Sequence, residues 1–304
     1  MLYLLQQLLN GLHIGAIYAV LAFGYALTNG VLHRTNLAYG PVFAFCGQML
    51  ILAAVFGWQT LWLNLPATIL FGLAVSIAYA LLLSRILART VLGPLAKRSP
   101  NAIVVATLGA SLVLMELGRI AAETRDLWLP PLLHAPVVFA EGGGFRVTMT
   151  VLQIVNCAIM ASAIAAGSLA LARSGFGRRW RAVSDDPHAA ALCGVDVGAV
   201  FRGAVLAGGL AAALAGALAA LYYGNISFGT GMVFGLKVLF VAAVGGYLSP
   251  ARAAAGAFAF GMAESIWSGY FPIEWRDAWM FAFLVALLVL GPDRENTRGV
   301  GRAS

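Results

Sequence analysis

Charge is what this sequence has least of. Of its 304 residues only 10% are Asp, Glu, Lys or Arg, against 61% hydrophobic. A soluble domain carries about 25% charged residues, so this composition excludes a water-exposed globule. Cysteine is scarce as well. Cys46, Cys157 and Cys193 show no paired spacing, so neither a disulfide framework nor a metal site is indicated. The histidines His13, His33, His134 and His188 are scattered and form no ligand set. No Gly-x-x-x-x-Gly-Lys-Ser/Thr phosphate loop is present. No Ser–His–Asp or paired-carboxylate grouping stands out either. An enzyme is therefore not expected, and any ATP-driven step would need a second chain.

What the sequence does have is apolar length. A membrane helix needs about 20 apolar residues, and such stretches lie near 8–32, 37–56, 61–84, 101–122, 149–171, 203–223, 233–248, 252–271 and 277–291. The expectation is an all-α integral membrane protein of about nine spans, forming a single domain over 1–304. The seventh and ninth stretches are short and the second begins at a polar turn, so some spans are candidates for broken helices. The first lacks a basic leader and a clear small-residue cleavage site, and reads as a retained helix rather than a signal peptide. Glycine is abundant at 35 residues, as in helices that approach backbone to backbone within a bilayer. Gly11-x-x-x-Gly15 and the Gly208-Gly209 to Gly216 run belong to this pattern.

Positive residues mark cytoplasmic connections. With alternating loops, one side collects Arg34, Arg85, Arg89, Lys97, Arg98, the Arg173–Arg202 group, Arg252 and the C-terminal arginines; the other holds only Arg125, Arg146 and Arg276. The N-terminus is therefore expected outside and the C-terminus in the cytoplasm. The net charge of +7 could suggest nucleic acid, but in a membrane protein a basic excess is more simply the marker of cytoplasmic loops, so membrane lipid and not nucleic acid is the expected surrounding.

Two polar connections interrupt the apolar runs. The cytoplasmic one, about 173–202, contains Arg178 to Asp196, where Asp185 or Asp186 can cap a helix opened by Pro187 and stopped by Gly194. Its short alanine-rich helix either rests in a partner's groove or lies solvated at the interface. The external one, about 123–148, carries Trp128, Pro130, Pro131, Pro136 and Gly142-Gly143-Gly144. It reads as a rigid lid or as a docking ledge for an external partner. Within the spans the ionisable residues are Glu116, Arg119, Lys237 and Glu264. Each would cost about 2.5–3.5 kcal/mol alone at the helix centre. Glu116 and Arg119 can pair along one helix. Lys237 and Glu264 lie at similar depths, which suggests a pair that locks two helices, or else a polar substrate contact or proton relay. Asn36, Gly40 and Pro41 at the second span suggest irregular backbone lining a cavity, or a simple cap by Asn36.

Several motifs, in order, carry a family resemblance. They are Gly11-Leu-His-Ile-Gly15-Ala-Ile-Tyr18 through Gly24-Tyr25, then Asn36-x-Ala38-x-Gly40, and Arg181-Ala182 through Ala189-Ala190 to Gly194-Val195-Asp196. They continue with Tyr222-Tyr223-Gly224, Gly235-Leu236-Lys237, Gly245-Gly246, Glu264 before Gly269-Tyr270, Glu274-Trp275-Arg276-Asp277 and Gly291-Pro292. Across almost its full length the chain resembles the LivH-type permease subunit of branched-chain amino-acid ABC importers. The resemblance implies a bacterial inner-membrane protein working with a second, LivM-like permease, two cytoplasmic ATPase subunits that hold ATP and Mg, and a periplasmic solute-binding protein. No cofactor is implied in this chain itself. It assigns ATPase coupling to Arg181, Asp185, Asp186, Pro187, Ala189, Ala190 and Gly194. It places a pathway near Asn36, Ala38, Tyr39, Gly40, Gly235, Gly245 and Gly246. Two departures stand out. Leu248 interrupts the usual glycine-rich turn, and Tyr39 replaces a common His. If Tyr39 faces the pathway, the solute is something other than Leu, Ile or Val: another amino acid, urea, an amide or an aromatic acid. Two rival classes stay open: a secondary transporter or channel acting without ATP, and a membrane enzyme or purely structural scaffold, for which no catalytic grouping is visible.

Overall fold

The computed structural model describes residues 1–96, 100–123, 125, 127–130, 132–227, 229–245 and 249–290. All of the expected apolar stretches carry a helix. These are α1 (Leu2–Leu32), α2 (Tyr39–Gln59), α3 (Leu65–Ile86), α5 (Pro100–Ala121), α6 (Val151–Arg173), α9 (Val197–Tyr223), α10 (Thr230–Gly245), α11 (Pro250–Tyr270) and α12 (Arg276–Leu290). Past Ile86, α3 widens into a π-helical stretch, Leu87–Leu92, and ends in the short α4 (Gly93–Ala96). Two further helices, α7 (Gly175–Asp185) and α8 (Pro187–Leu192), fill the long connection between α6 and α9. Among the described residues, six helices are long and apolar enough to cross a bilayer: α1, α2, α3 with its extension, α5, α6 and α9. Helix α10 is apolar but shorter.

Helix α1 is the axis of the bundle. Almost every residue from Gly15 to Leu32 is buried, and α11, α9, α6 and α10 pack round it. Close approach is achieved at glycines. A side chain at Gly15 would meet the Phe258 carbonyl oxygen at 2.8 Å, and one at Gly261 would strike the Gly15 backbone. Gly208 and Gly24 face each other where α9 crosses α1, and Gly216 and Gly47 do so where α9 crosses α2. Each contact lets backbones meet where lipid offers no hydrophobic advantage, so dispersion and fit must hold the helices. By contrast α6 shows most of its surface to the exterior.

One departure from the all-α expectation lies in the external connection. Pro136–Gly142 (β1) and Phe145–Thr150 (β2) form an antiparallel hairpin. Its turn uses Gly143 and Gly144 at φ 59° and 78°, the left-handed conformation that two-residue hairpin turns require and glycine adopts freely. Val147 and Met149 of β2 are buried. The Gln6 side chain of α1 docks the strand by donating to the Thr148 carbonyl at 2.9 Å and accepting from its N–H at 2.8 Å. Thr150 then caps α6 in a reciprocal box with Gln153. The bundle thus has a hairpin end and, opposite it, an arginine end built from α7 and α8.

Candidate functional sites at the two ends of the bundle

At the hairpin end, four charged side chains from three helices meet. Lys237 of α10 places its ammonium 2.7 Å from Glu264 Oε1 on α11 and 2.9 Å from Asp277 Oδ1 on α12. Arg276 reaches the same two carboxylates through Nε, at 3.5 and 3.3 Å. From α1 the Tyr18 hydroxyl donates to Glu264 Oε2 at 2.7 Å. Lys237 is 2% exposed and Glu264 4%, so neither charge is tolerable without the other: an isolated buried ion costs several kcal/mol. Two cations and two carboxylates leave the group neutral.

This cluster does not seal a solid core. Tyr18, Lys237, Glu264 and Arg276 line a cavity of about 550 Å³, within the usual range for small-molecule sites. Phe43, Val233 and Phe234 supply apolar wall, and Asn225, Ser227 and Thr230 supply polar groups. Trp128 from the connection before the hairpin reaches its mouth. The connection is held there by Leu129 N–H donating to the Gly224 carbonyl at the end of α9.

Of the described residues expected to line a pathway, none is among those that line this cavity. Asn36 is buried and caps its own turn, accepting from Ala38 N–H at 3.1 Å. Ala38 is buried as well. Tyr39 is enclosed, and its hydroxyl donates to the Gly208 carbonyl at 3.1 Å. Gly40 and Gly235 are the crossing point of α2 and α10, each occupying the space a side chain on the other would need. Gly245 ends α10; Gly246, with Leu248, lies outside the described residues. Of the wall residues, the sequence singled out Lys237 and Glu264 as a pair and Trp128 within the external connection. Tyr18 and Arg276 of the wall, and Asp277 of the charged cluster, were missed because each sits in a motif or at a helix end where depth alone assigns no partner. Glu116 and Arg119 do pair, at 2.7 Å, on an exposed face of α5.

At the arginine end, Ser174 caps α7 by accepting from Gly177 N–H at 3.0 Å. The helix then divides its faces: Trp180 and Val183 go inward, and Arg178, Arg179 and Arg181 point out. Trp180 donates its indole N–H to the Leu27 carbonyl of α1 at 3.0 Å, which fixes α7 against the bundle axis. Arg181 donates to the Leu171 carbonyl at 2.6 Å, a cation at a helix C-terminus where the dipole favours it. Asp185 is exposed, and Asp186 caps α8 by accepting from His188 and Ala189 N–H at 2.8 and 3.1 Å. Pro187 opens the helix, needing no partner for a missing N–H. Ala190 alone of α8 is buried, joining a small core with Trp180, Val183, Phe23, Leu27 and Val200. Pro187, Ala189 and Leu192 are exposed, Leu192 at 78%. Gly194 stops the helix at φ 80°, with open space where a side chain would stand.

Comparison with known proteins places these features. Residues 7–290 match the profile described as the branched-chain amino acid transport system / permease component. The permease protein LivH of the high-affinity branched-chain amino acid transport system of Escherichia coli K12 is 30% identical over 96% of this chain and 94% of its own. LivH of Salmonella typhimurium is 29% identical over the same shares. BraD of Pseudomonas aeruginosa is 27% identical over 95% of this chain and 94% of its own. No solved structure matches. With near full-length agreement and several apolar helices of membrane-crossing length, this chain is a multi-pass membrane protein that belongs to the permease family of branched-chain amino-acid transport systems.

Proposed function

We propose that the chain is one permease subunit of an ABC importer in the bacterial inner membrane, taking up branched-chain or related amino acids handed over by a periplasmic binding protein. As a transport subunit it is not an enzyme. ATP and Mg belong to two ATPase subunits, and a second, LivM-like permease completes the membrane part. All nine apolar helices span the bilayer, with the N-terminus outside and the C-terminus in the cytoplasm. The hairpin end then faces the binding protein and the arginine end faces the ATPases.

The observation that carries the reading is α8. A capped helix with an exposed Leu192 stands on a buried platform whose Trp180 bonds to α1. An exposed apolar knob on a braced base suits a helix seated in a partner's groove, with the arginines of α7 adding charge complementarity. Arg181, Asp185, Asp186, Pro187, Ala189, Ala190 and Gly194 shape this element. A freely solvated helix would have no use for Leu192.

The test is ATP hydrolysis by the full importer in liposomes with loaded binding protein. Leu192→Asp and Gly194→Trp are expected to lower stimulated hydrolysis at least tenfold while insertion and association with the second permease persist. Gly194→Ala separates backbone strain, about 1–2 kcal/mol for a left-handed L-residue, from added bulk, and is expected to retain most activity. Unchanged hydrolysis in Leu192→Asp and Gly194→Trp overturns the assignment. Transport of solute by the chain without ATP would favour the secondary transporter or channel.

As to solute, Tyr39 donates into the α9 backbone and is shut away from the cavity. Its replacement of the common His therefore gives no ground for preferring urea, amides or aromatic acids over amino acids.

A further inference from the structure

A pair whose task is to lock two helices needs no open space beside it. Lys237 and Glu264 are almost wholly buried, yet both face the cavity, with Arg276 and Tyr18 beside them. Arg276 touches its two carboxylate partners only at 3.3 and 3.5 Å through Nε. Those contacts are long for charge-assisted bonds, which run at about 2.7–2.9 Å, so a well-placed carboxylate can compete for the guanidinium. The Tyr18 oxygen, after donating to Glu264, meets the Lys237 ammonium only at 3.5 Å and keeps accepting capacity.

We propose that this cavity is a station for a zwitterionic amino acid inside the permease. Arg276 receives the α-carboxylate, Glu264 and Tyr18 receive the α-ammonium, and Phe43, Val233 and Phe234 enclose an apolar side chain. The inference rests on the permease reading given above. Charge balance decides the solute class. The resident group is neutral, and a zwitterion inserts one charge of each sign, so no ion is left unpaired in a place where that would be costly. A monoanionic acid would add a lone negative charge, and an amine a lone positive one. Urea, being neutral, would leave the resident pairs as they stand and offer no carboxylate to compete for the guanidinium. The same balance lets the solute leave, because Lys237, Glu264, Arg276 and Asp277 re-pair among themselves behind it. Selectivity is then shared between the external binding protein and this wall.

The experiment uses the assembled permease pair with its ATPases in nanodiscs, without ATP and without binding protein. Radiolabelled leucine, valine and phenylalanine are offered, with 4-methylpentanoate (no ammonium) and 3-methylbutylamine (no carboxylate) as competitors. At least one amino acid is expected to bind, and neither analogue to displace it at tenfold excess. Arg276→Gln is expected to weaken binding at least tenfold, and Val233→Trp, which fills the cavity without touching the charges, to abolish it. Size exclusion reports assembly of both variants, and the wild-type competition decides if either fails to assemble. Absence of binding by all three amino acids, equal displacement by an analogue, or unchanged binding in assembled Val233→Trp overturns the station. ATP-driven uptake by the wild-type importer with its binding protein is measured in parallel. Uptake without a binding station removes only this inference, whereas no ATP-driven uptake of any solute removes the importer reading itself.

Discussion

At the hairpin end the helices are joined through charge: Lys237, Glu264, Arg276 and Asp277 reach one another within 3.5 Å and close α10, α11 and α12 together. At the arginine end the opposite arrangement holds. Trp180, Val183, Ala190 and Val200 make an apolar joint, and the charged side chains of α7 and α8 are turned outward or spent on helix caps. The difference follows from surroundings. Ions buried in the bundle must satisfy one another, because neither lipid nor protein interior will. Ions at an aqueous face satisfy water, which leaves them available to a partner, while hydrophobic contact does the joining. One end is therefore held by ions that satisfy one another, and the other by an apolar seat.

That contrast can be broken in order of expected effect. Lys237→Met strands Glu264 as a buried charge and is expected to destabilise the chain by about 3–5 kcal/mol. Thermal unfolding of the purified permease pair should report a large drop, with much of it recovered in Lys237→Met/Glu264→Met. Failure of the double substitution to recover stability would place the cost in helix fit and not in charge. Next, Trp180→Ala removes the main anchor of α7 and leaves a cavity, costing about 3 kcal/mol. Raised salt should not change this loss, because the joint is apolar; a salt-dependent loss would blur the distinction between the ends. Smallest is Arg146→Ala. Its pairing with Glu141 at 2.7 Å is well exposed on the hairpin, so the expected change is under about 1 kcal/mol, checked by the same unfolding measurement.

Local chemistry made some elements readable in advance. Asp186, Pro187 and Gly194 bracket α8 with a cap, a start and a stop, and the helix falls at Pro187–Leu192 accordingly. Counting depth along two helices was enough to bring Lys237 to Glu264. The β-hairpin escaped notice although Phe145-Arg-Val-Thr-Met-Thr150 alternates as a strand does, because a search for membrane-length runs passes over six-residue patterns. Arg276 reads as an external loop charge and Asp277 as the first residue of the last span; only the convergence of α10, α11 and α12 brings Arg276 to the cavity and Asp277 to Lys237. Tyr39 shows the limit in another way. A departure from a family motif looks like a change of substrate, while its hydroxyl in fact serves the crossing of α2 and α9. Sequence gives the residue, and the tertiary contact decides which surface it belongs to.

The burial of α1 on every side has an evolutionary consequence. Most membrane helices keep one face toward lipid, where apolar residues replace one another freely and related sequences drift with a helical period. Between Gly15 and Leu32 such a face is missing. Glycines meet α11 and α9, Tyr18 meets the ions, and Leu27 holds the indole of Trp180. Drift along this segment should therefore be slow and without period, and change in it should require matched change in a neighbouring helix.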